Sequence, residues 1–406
     1  MSALEITMAK KPKNALLITV TGADQPGITA ELSAMLATAQ AELLDVEQVQ
    51  VQGYLNLHFL VALDPMSGTP ILKDLLWKAK EFGLDLDFEW VPSERSQPGL
   101  VHDRWAVTLV ARVLGAEVLA AAATAIAQAG FNIDRIGRLS EGDLNSLELL
   151  VSGPAKADPV KLQRRLMDVE AKLAVDVALQ RENLLRRSKR LVVFDMDSTL
   201  IQHEVIDEIA RIHGVYDEVS ATTERAMQGE MNFDEALRAR VALLEGAPEG
   251  VFARVLNVIK LTPGAERMVR VLKRLGYRLA LVSGGFIQVA QPLANKLGLD
   301  YAFANELEVR GGKLTGKLVG PIVNKQRKAD LLESMALAER ITLEQVIAVG
   351  DGANDLAMLG RAGLGIAFNA KRIVQEQADT SINQRNLDAV LYLLGIRQED
   401  VRAVEA

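Results

Sequence analysis

The first ~180 residues alternate short apolar runs with segments whose apolar positions recur every three to four residues, and they run through this pattern twice. Ala15-Leu-Leu-Ile-Thr-Val20 reads as a strand, and Asp24-Gln-Pro-Gly27 carries turn chemistry. From Ile28 to Ala39 the apolar residues Ile28, Leu32, Met35 and Leu36 share one helical face. Strands are predicted over 43–52 and 55–63, a helix over 71–82 and a strand over 84–91. The order is βαββαβ. It returns roughly 90 residues later, with a strand over 105–112, Gly115 where Gly27 stood, a helix over 118–129, strands over 131–139 and 146–152, a helix over 159–173 and a strand over 175–180. The polar run Ser93–Gly99 separates the copies. Each copy is predicted to be a ferredoxin-like unit.

Residues 180–190 are polar and basic, with Arg181, Arg186, Arg187, Lys189 and Arg190, and read as a solvated linker. Beyond them, short apolar strands at 191–194, 278–282, 346–349 and 363–368 alternate with helical segments. That alternation predicts an α/β fold with a parallel, Rossmann-like sheet covered by helices on both faces. Residues of about 202–260 read as a helical insert that would cap a site at the strand ends, and Ile396–Ala406 reads as a polar tail that frays. The expected domains are 1–97, 98–183 and 184–406.

Composition narrows the chemistry. With 406 residues, 49% hydrophobic and 24% charged, the chain is long enough for two or three globular cores. A net charge of −7 argues against nucleic acid as a partner. The absence of cysteine removes disulfides, iron–sulfur clusters and thiolate zinc sites. No two of the four histidines have the HExxH spacing, so a bound metal is expected to be a hard cation on carboxylates. Met1–Lys13 lacks the apolar core of a secretory signal, and Val118–Gly130 is too short to span a bilayer, so a soluble, cytoplasmic protein without a membrane partner is expected.

Four motifs carry the candidate chemistry. Leu191-Val-Val-Phe-Asp195-Met-Asp197-Ser-Thr199 drives an apolar strand into two carboxylates two residues apart. In a parallel α/β sheet such strand ends are where ligands bind. Val346-Ile-Ala-Val-Gly350-Asp351-Gly352-Ala-Asn354-Asp355 is a second strand ending in acids, and Asp351 with Asp355 would complete an oxygen cage of the kind Mg2+ accepts. Leu279-Ala-Leu-Val-Ser283-Gly284-Gly285 ends a third strand in a hydroxyl and backbone N–H groups expected to be free for an anion. A lysine before a helix, Lys325 or Lys328, would neutralise charge on a bound phosphate. A near P-loop at Gly311–Leu318 lacks the final hydroxyl residue and reads as a hairpin turn.

In this order the four motifs resemble the haloacid dehalogenase superfamily of phosphotransferases, from about Leu191 to the C-terminus. The resemblance implies that Asp195 attacks phosphorus and that Asp197 serves as general acid and base. It also implies that Mg2+ is held by Asp195, the Asp197 carbonyl and Asp351 with support from Asp355, and that Ser283, Gly284 and Lys328 hold the phosphoryl oxygens. Within the insert the sequence is similar to the phosphoserine phosphatase family. Glu204 matches the residue that meets the substrate ammonium, and Met227, Phe233 and Arg240 match a pattern whose arginine binds the carboxylate; Asn354 joins that shell. O-phospho-L-serine is then the expected substrate, and L-serine and phosphate the products. The N-terminal copies resemble tandem ACT domains, which implies an amino-acid effector such as serine near Gly27 or Gly115 and a homodimer. Two other readings share the motifs: a phosphotransferase that passes the group to another alcohol, and an amino-acid sensor with a vestigial phosphatase domain.

Overall fold

The structure is a computed structural model that describes residues 14–63, 68–92, 103–154 and 157–405. Met1–Lys13 and the Ser93–Gly99 run lie outside the described residues. The chain forms two compact units, one within residues 1–101 and one within 102–406.

The first unit runs β1 (Asn14–Ala23), α1 (Ile28–Thr38), β2 (Glu42–Val51), β3 (Tyr54–Ala62), α2 (Gly68–Glu81) and β4 (Asp85–Pro92). Its antiparallel sheet has the order β2-β3-β1-β4. On β3, Leu55, Leu57, Phe59 and Val61 are buried at alternate positions, the period-2 signature of a sheet with one covered face. Ile28, Leu32 and Leu36 of α1 and Ile71, Leu75 and Ala79 of α2 cover that face. Each buried leucine or isoleucine stabilises the unit by about 1.5–3 kcal/mol.

The second unit opens with the same pattern: β5 (Asp103–Ala111), α3 (Ala116–Gln128), β6 (Asn132–Ser140), β7 (Asn145–Gly153), α4 (Pro159–Lys172) and β8 (Asp176–Arg181). Then come β9 (Leu191–Phe194) and four insert helices, α5 (Val205–His213), α6 (Tyr216–Met227), α7 (Phe233–Ala242) and α8 (Val251–Val258). They are followed by α9 (Ala265–Arg274), β10 (Arg278–Phe286), α10 (Ile287–Leu297), β11 (Tyr301–Arg310), β12 (Lys313–Val319) and α11 (Lys325–Ala338). The chain ends with β13 (Val346–Gly350), α12 (Leu356–Arg361), β14 (Leu364–Phe368), α13 (Arg372–Gln375), β15 (Thr380–Ile382), α14 (Ala389–Leu393) and α15 (Gln398–Glu405).

β9 lies mid-sheet, between β10 and β13, and pairs in parallel with both. Its residues divide between two cores: Val192 and Phe194 enter one, Leu191 and Val193 the other. β13 divides the same way, Ile347 and Val349 against Val346 and Ala348. A strand buried on both faces has to be apolar throughout, which is why these runs carry no polar alternation.

Residues 98–183, expected as a domain of their own, share one sheet with the residues that follow. A single eleven-stranded sheet has the order β12-β11-β10-β9-β13-β14-β15-β8-β5-β7-β6. The join is the antiparallel bridge between Thr380 of β15 and Ala178 of β8. Asp176 fastens it by accepting from the backbone N–H groups of Asn383 at 2.9 Å and Gln384 at 3.1 Å. Two expectations change. The basic segment is not solvated throughout, because Arg186 and Lys189 are buried in it. The tail does not fray: α15 buries Val401, and Glu405 is ion-paired to Arg267 and Arg270 of α9. Among the described residues, no helix is long and apolar enough to cross a membrane.

Candidate active site

The carboxyl ends of β9, β10 and β13 converge. The Asp195 backbone N–H donates to the Val349 carbonyl at 2.9 Å, which fixes the end of β9 against β13. Lys328, on the first turn of α11, reaches in from the other side. Its ammonium is fully buried and donates to Asp195 Oδ1 and Asp355 Oδ1, both at 2.7 Å. Asp355 Oδ2 accepts from the Gly352 N–H at 3.0 Å. Asp351 Oδ1 accepts from the Thr199 hydroxyl at 2.9 Å. Oxygens of Asp195, Asp351 and Asp355 lie within 4.8 Å of one another. Gly350 permits this approach, since a Cβ there would sit 2.5 Å from Asp355 Cγ.

Asp197 sits in a tight turn, where Ser198 takes a left-handed φ of 55°. Its Oδ1 accepts from the Val205 N–H that opens α5, at 2.9 Å, and its Oδ2 accepts from the Ser283 hydroxyl at 3.3 Å. Gly285 faces it so closely that a Cβ would fall 2.6 Å from Asp197 Oδ2. The backbone N–H groups at this turn are not all free as expected: that of Gly285 donates to Ser283 Oγ at 2.8 Å.

Electrostatics follow from the crowding. Burial, reinforced by the Asp355 carboxylate, pushes Asp195 well above the usual carboxylate range despite Lys328. Burial and the Glu204 charge push Asp197 up to about 8, and burial with Asp355 pushes Asp351 up to about 7. Burial opposes the Lys328 ammonium, but the Asp195 and Asp355 carboxylates outweigh it and hold it charged. Three clustered carboxylates therefore face one ammonium, which leaves negative charge in an all-oxygen donor set. That is the chemistry a hard divalent cation such as Mg2+ fits.

The insert helices bring the other expected residues to varying depths. Glu204 caps the start of α5 and is exposed, its Oε1 accepting from the Ser198 hydroxyl at 2.7 Å. Phe233 opens α7, its Cζ 3.2 Å from where a Gly284 Cβ would stand, and Asn354 Nδ2 is 3.7 Å from the same point. Arg240, further along α7, is half-buried; burial lowers its pKa, countered by the charges of Glu204, Asp207 and Asp197. Met227 ends α6 and is 69% exposed. Lys325 is exposed, so of the two candidate lysines only Lys328 reaches the carboxylates. Gly27 opens α1 with a φ of 100°, and Gly115 opens α3 in extended backbone.

Three supporting residues were not singled out from the sequence. Thr199 is one, and its carbonyl is held in turn by the buried Thr262 hydroxyl at 2.7 Å. Their signal was partly present, since Thr199 completes the Asp195 motif. Asn305 has no such signal. From β11 its Nδ2 donates to the Gly284 carbonyl at 2.7 Å, and its Oδ1 accepts from the Val323 N–H at 2.8 Å, tying the Ser283 turn to the segment before α11.

Residues 192–360 match the haloacid dehalogenase-like hydrolase family, and 14–89 and 104–180 each match an ACT domain. A phosphoserine phosphatase of Streptomyces coelicolor is 45% identical over 390 residues, 96% of this chain and 94% of that protein. One of Mycobacterium tuberculosis is 45% identical over 401 residues, 97% of this chain and 96% of that protein. Among solved structures, a haloacid dehalogenase family hydrolase of Salmonella enterica has a TM-score of 0.63 at 30% identity, covering 71% of this chain and 98% of its own. A probable phosphoserine phosphatase of Vibrio cholerae has a TM-score of 0.57 at 33% identity, covering 73% and 88%.

Proposed function

The chain belongs to the phosphoserine phosphatases of the haloacid dehalogenase-like hydrolases, with two ACT domains ahead of the hydrolase domain, and from that premise we propose that it hydrolyses O-phospho-L-serine to L-serine and phosphate through a phosphorylated Asp195. The observation that carries this is the buried Lys328 ammonium shared between Asp195 and Asp355, with Asp351 beside them.

In this reading Asp195 attacks phosphorus, the bond to the serine oxygen breaks, and Asp197 gives that oxygen a proton. A pKa near 8 leaves Asp197 protonated at neutral pH, as an acid requires. Asp197 then takes a proton from the water that cleaves the aspartyl-phosphate. Lys328, the Ser283 hydroxyl and the Gly284 backbone hold the phosphoryl oxygens, so the chain supplies position and charge, which dominate phosphoryl transfer. Asp195, the Asp197 carbonyl and Asp351, supported by Asp355, would hold Mg2+, which would supply the positive charge that keeps Asp195 ionised beside a phosphate dianion. Glu204 meets the substrate ammonium and Arg240 its carboxylate, with Met227, Phe233 and Asn354 around them.

The βαββαβ modules bind an amino acid such as serine near Gly27 or Gly115, and the chain pairs as a homodimer. Exposed Leu43, Val46, Val49 and Val51 along the edge strand β2 support that pairing. Phosphate release from O-phospho-L-serine, measured with Mg2+ and with EDTA, tests the reading. Release only with Mg2+ is expected; release without it, or none at all, overturns it.

A further inference from the structure

The basic segment 181–190 does more than join two modules. Arg186 is 4% exposed, and its guanidinium is ion-paired on two sides, to Glu182 at 2.6 Å and to Glu148 of β7. Its Nε is buried and has no hydrogen-bond partner among the described residues. A buried donor left in this state costs stability. Arg186 borders a cavity of about 290 Å³, which Arg187, Arg135 and Arg138 of β6, and Arg397 from the turn before α15 also line. Among the lining residues the one carboxylate is Glu148, already engaged by Arg186. Arg138 and Arg397 hold only exposed partners, Glu141 and Glu399, in pairs of little strength. Gly137 lies in the wall, and a Cβ there would meet nothing within 4 Å.

Five guanidiniums line the cavity, and four carboxylates, Glu141, Glu148, Glu182 and Glu399, pair with four of them, so these groups keep one positive charge in excess, carried by Arg135, in a chain whose net charge is −7. Guanidinium forks match the oxygens of phosphate groups. The volume suits a small molecule, not a continuous nucleic-acid strand. We propose that this cavity is a binding site for a small phosphate-bearing polyanion, separate from the active site. Its walls come from three stretches of chain, β6 with β7, the 181–190 segment and the 394–397 turn, so an occupant ties the second βαββαβ module to the end of the hydrolase core.

The test is calorimetric titration of the full chain with inorganic pyrophosphate in EDTA, which removes metal-dependent binding at the active site. Wild type is compared with Arg135→Ser/Arg397→Ser, which alters two exposed residues, and with Gly137→Leu, which fills the cavity without changing charge. Pyrophosphate is expected to bind wild type with one-to-one stoichiometry and to raise its melting temperature. Both variants should bind at least about tenfold more weakly, a loss of about 1.4 kcal/mol. With Mg2+ and no pyrophosphate, both should keep the phosphoserine kcat/KM within about twofold of wild type. Three results would overturn the proposal: no binding to wild type, equal binding to all three proteins, or a loss in the arginine variant without one in Gly137→Leu, which would mark diffuse charge and no cavity. Displacement of pyrophosphate by a short oligonucleotide at equal phosphate concentration would overturn it as well.

Discussion

Replacing Lys328 by Met probes the electrostatic balance of the active site directly. The ammonium is fully buried and lies 2.7 Å from both Asp195 Oδ1 and Asp355 Oδ1. At an effective dielectric constant of about 20, each contact is worth about 6 kcal/mol of Coulomb energy, much of it offset by desolvation. Methionine fills similar volume but leaves two buried carboxylates facing each other. Removing one partner of a buried ion pair typically costs about 3–5 kcal/mol, and the mutual repulsion here places the loss at the upper end. For a unit of this size that lowers the melting temperature by about 6–10 °C. The measurement is calorimetric unfolding in EDTA at pH 7.5, so that no cation replaces the ammonium. Asp355→Asn added to Lys328→Met should recover most of the lost stability while turnover stays lost. The deficit should also shrink as pH falls, because Asp195, already pushed above its ordinary value, takes up a proton. A deficit below about 1 kcal/mol, or no recovery in the double variant, would refute the idea that Lys328 balances these charges.

Gly285→Ala places a methyl 2.6 Å from Asp197 Oδ2 and 2.9 Å from the Met196 methyl, so kcat should fall by at least about tenfold through displacement of the general acid, with the melting temperature changed far less. Arg240→Lys keeps the charge but loses the planar fork; KM for phosphoserine should rise by about tenfold or more while kcat changes little, and an unchanged KM would remove Arg240 from carboxylate recognition. Glu170, held by Ser381 and Asn383 at the join between α4 and β15, is pushed up to about 7, first by burial and then by Asp176. Its neutral form is the one the fold favours, so its contribution is complete below about pH 4.5 and is lost as pH rises through about 7. Glu170→Gln should therefore raise stability by up to about 3 kcal/mol at pH 8 and by less than about 1 kcal/mol at pH 5, as read from melts at the two pH values.

Local composition was enough to establish a good deal. Leu191–Phe194 and Val346–Val349 are apolar at every position because both faces of a mid-sheet strand are covered, so the places where those runs meet Asp195 and Asp351 mark a site without any knowledge of the fold around them. The βαββαβ repeat was legible for a similar reason, since its strands and helices each bury one face and show it in their spacing. Other features depend on where distant segments meet. Lys325 and Lys328 are three residues apart on one helix, and only the packing of α11 turns the second inward. Asn305 acquires its role from the register of β11 beside β10. The merging of the second module with the hydrolase sheet uses one bridge together with hydrogen bonds such as those of Asp176 and Glu170 to segments more than 200 residues away, pairings that leave no periodic trace. The eight-residue helix α15 is too short to hold itself in water and is kept by burial of Val401 in the core, with Glu405 paired to Arg267 and Arg270 of α9. Periodicity reports which face of an element is buried; what it is buried against is settled by contacts between residues far apart in the chain, and those exist only once it has folded.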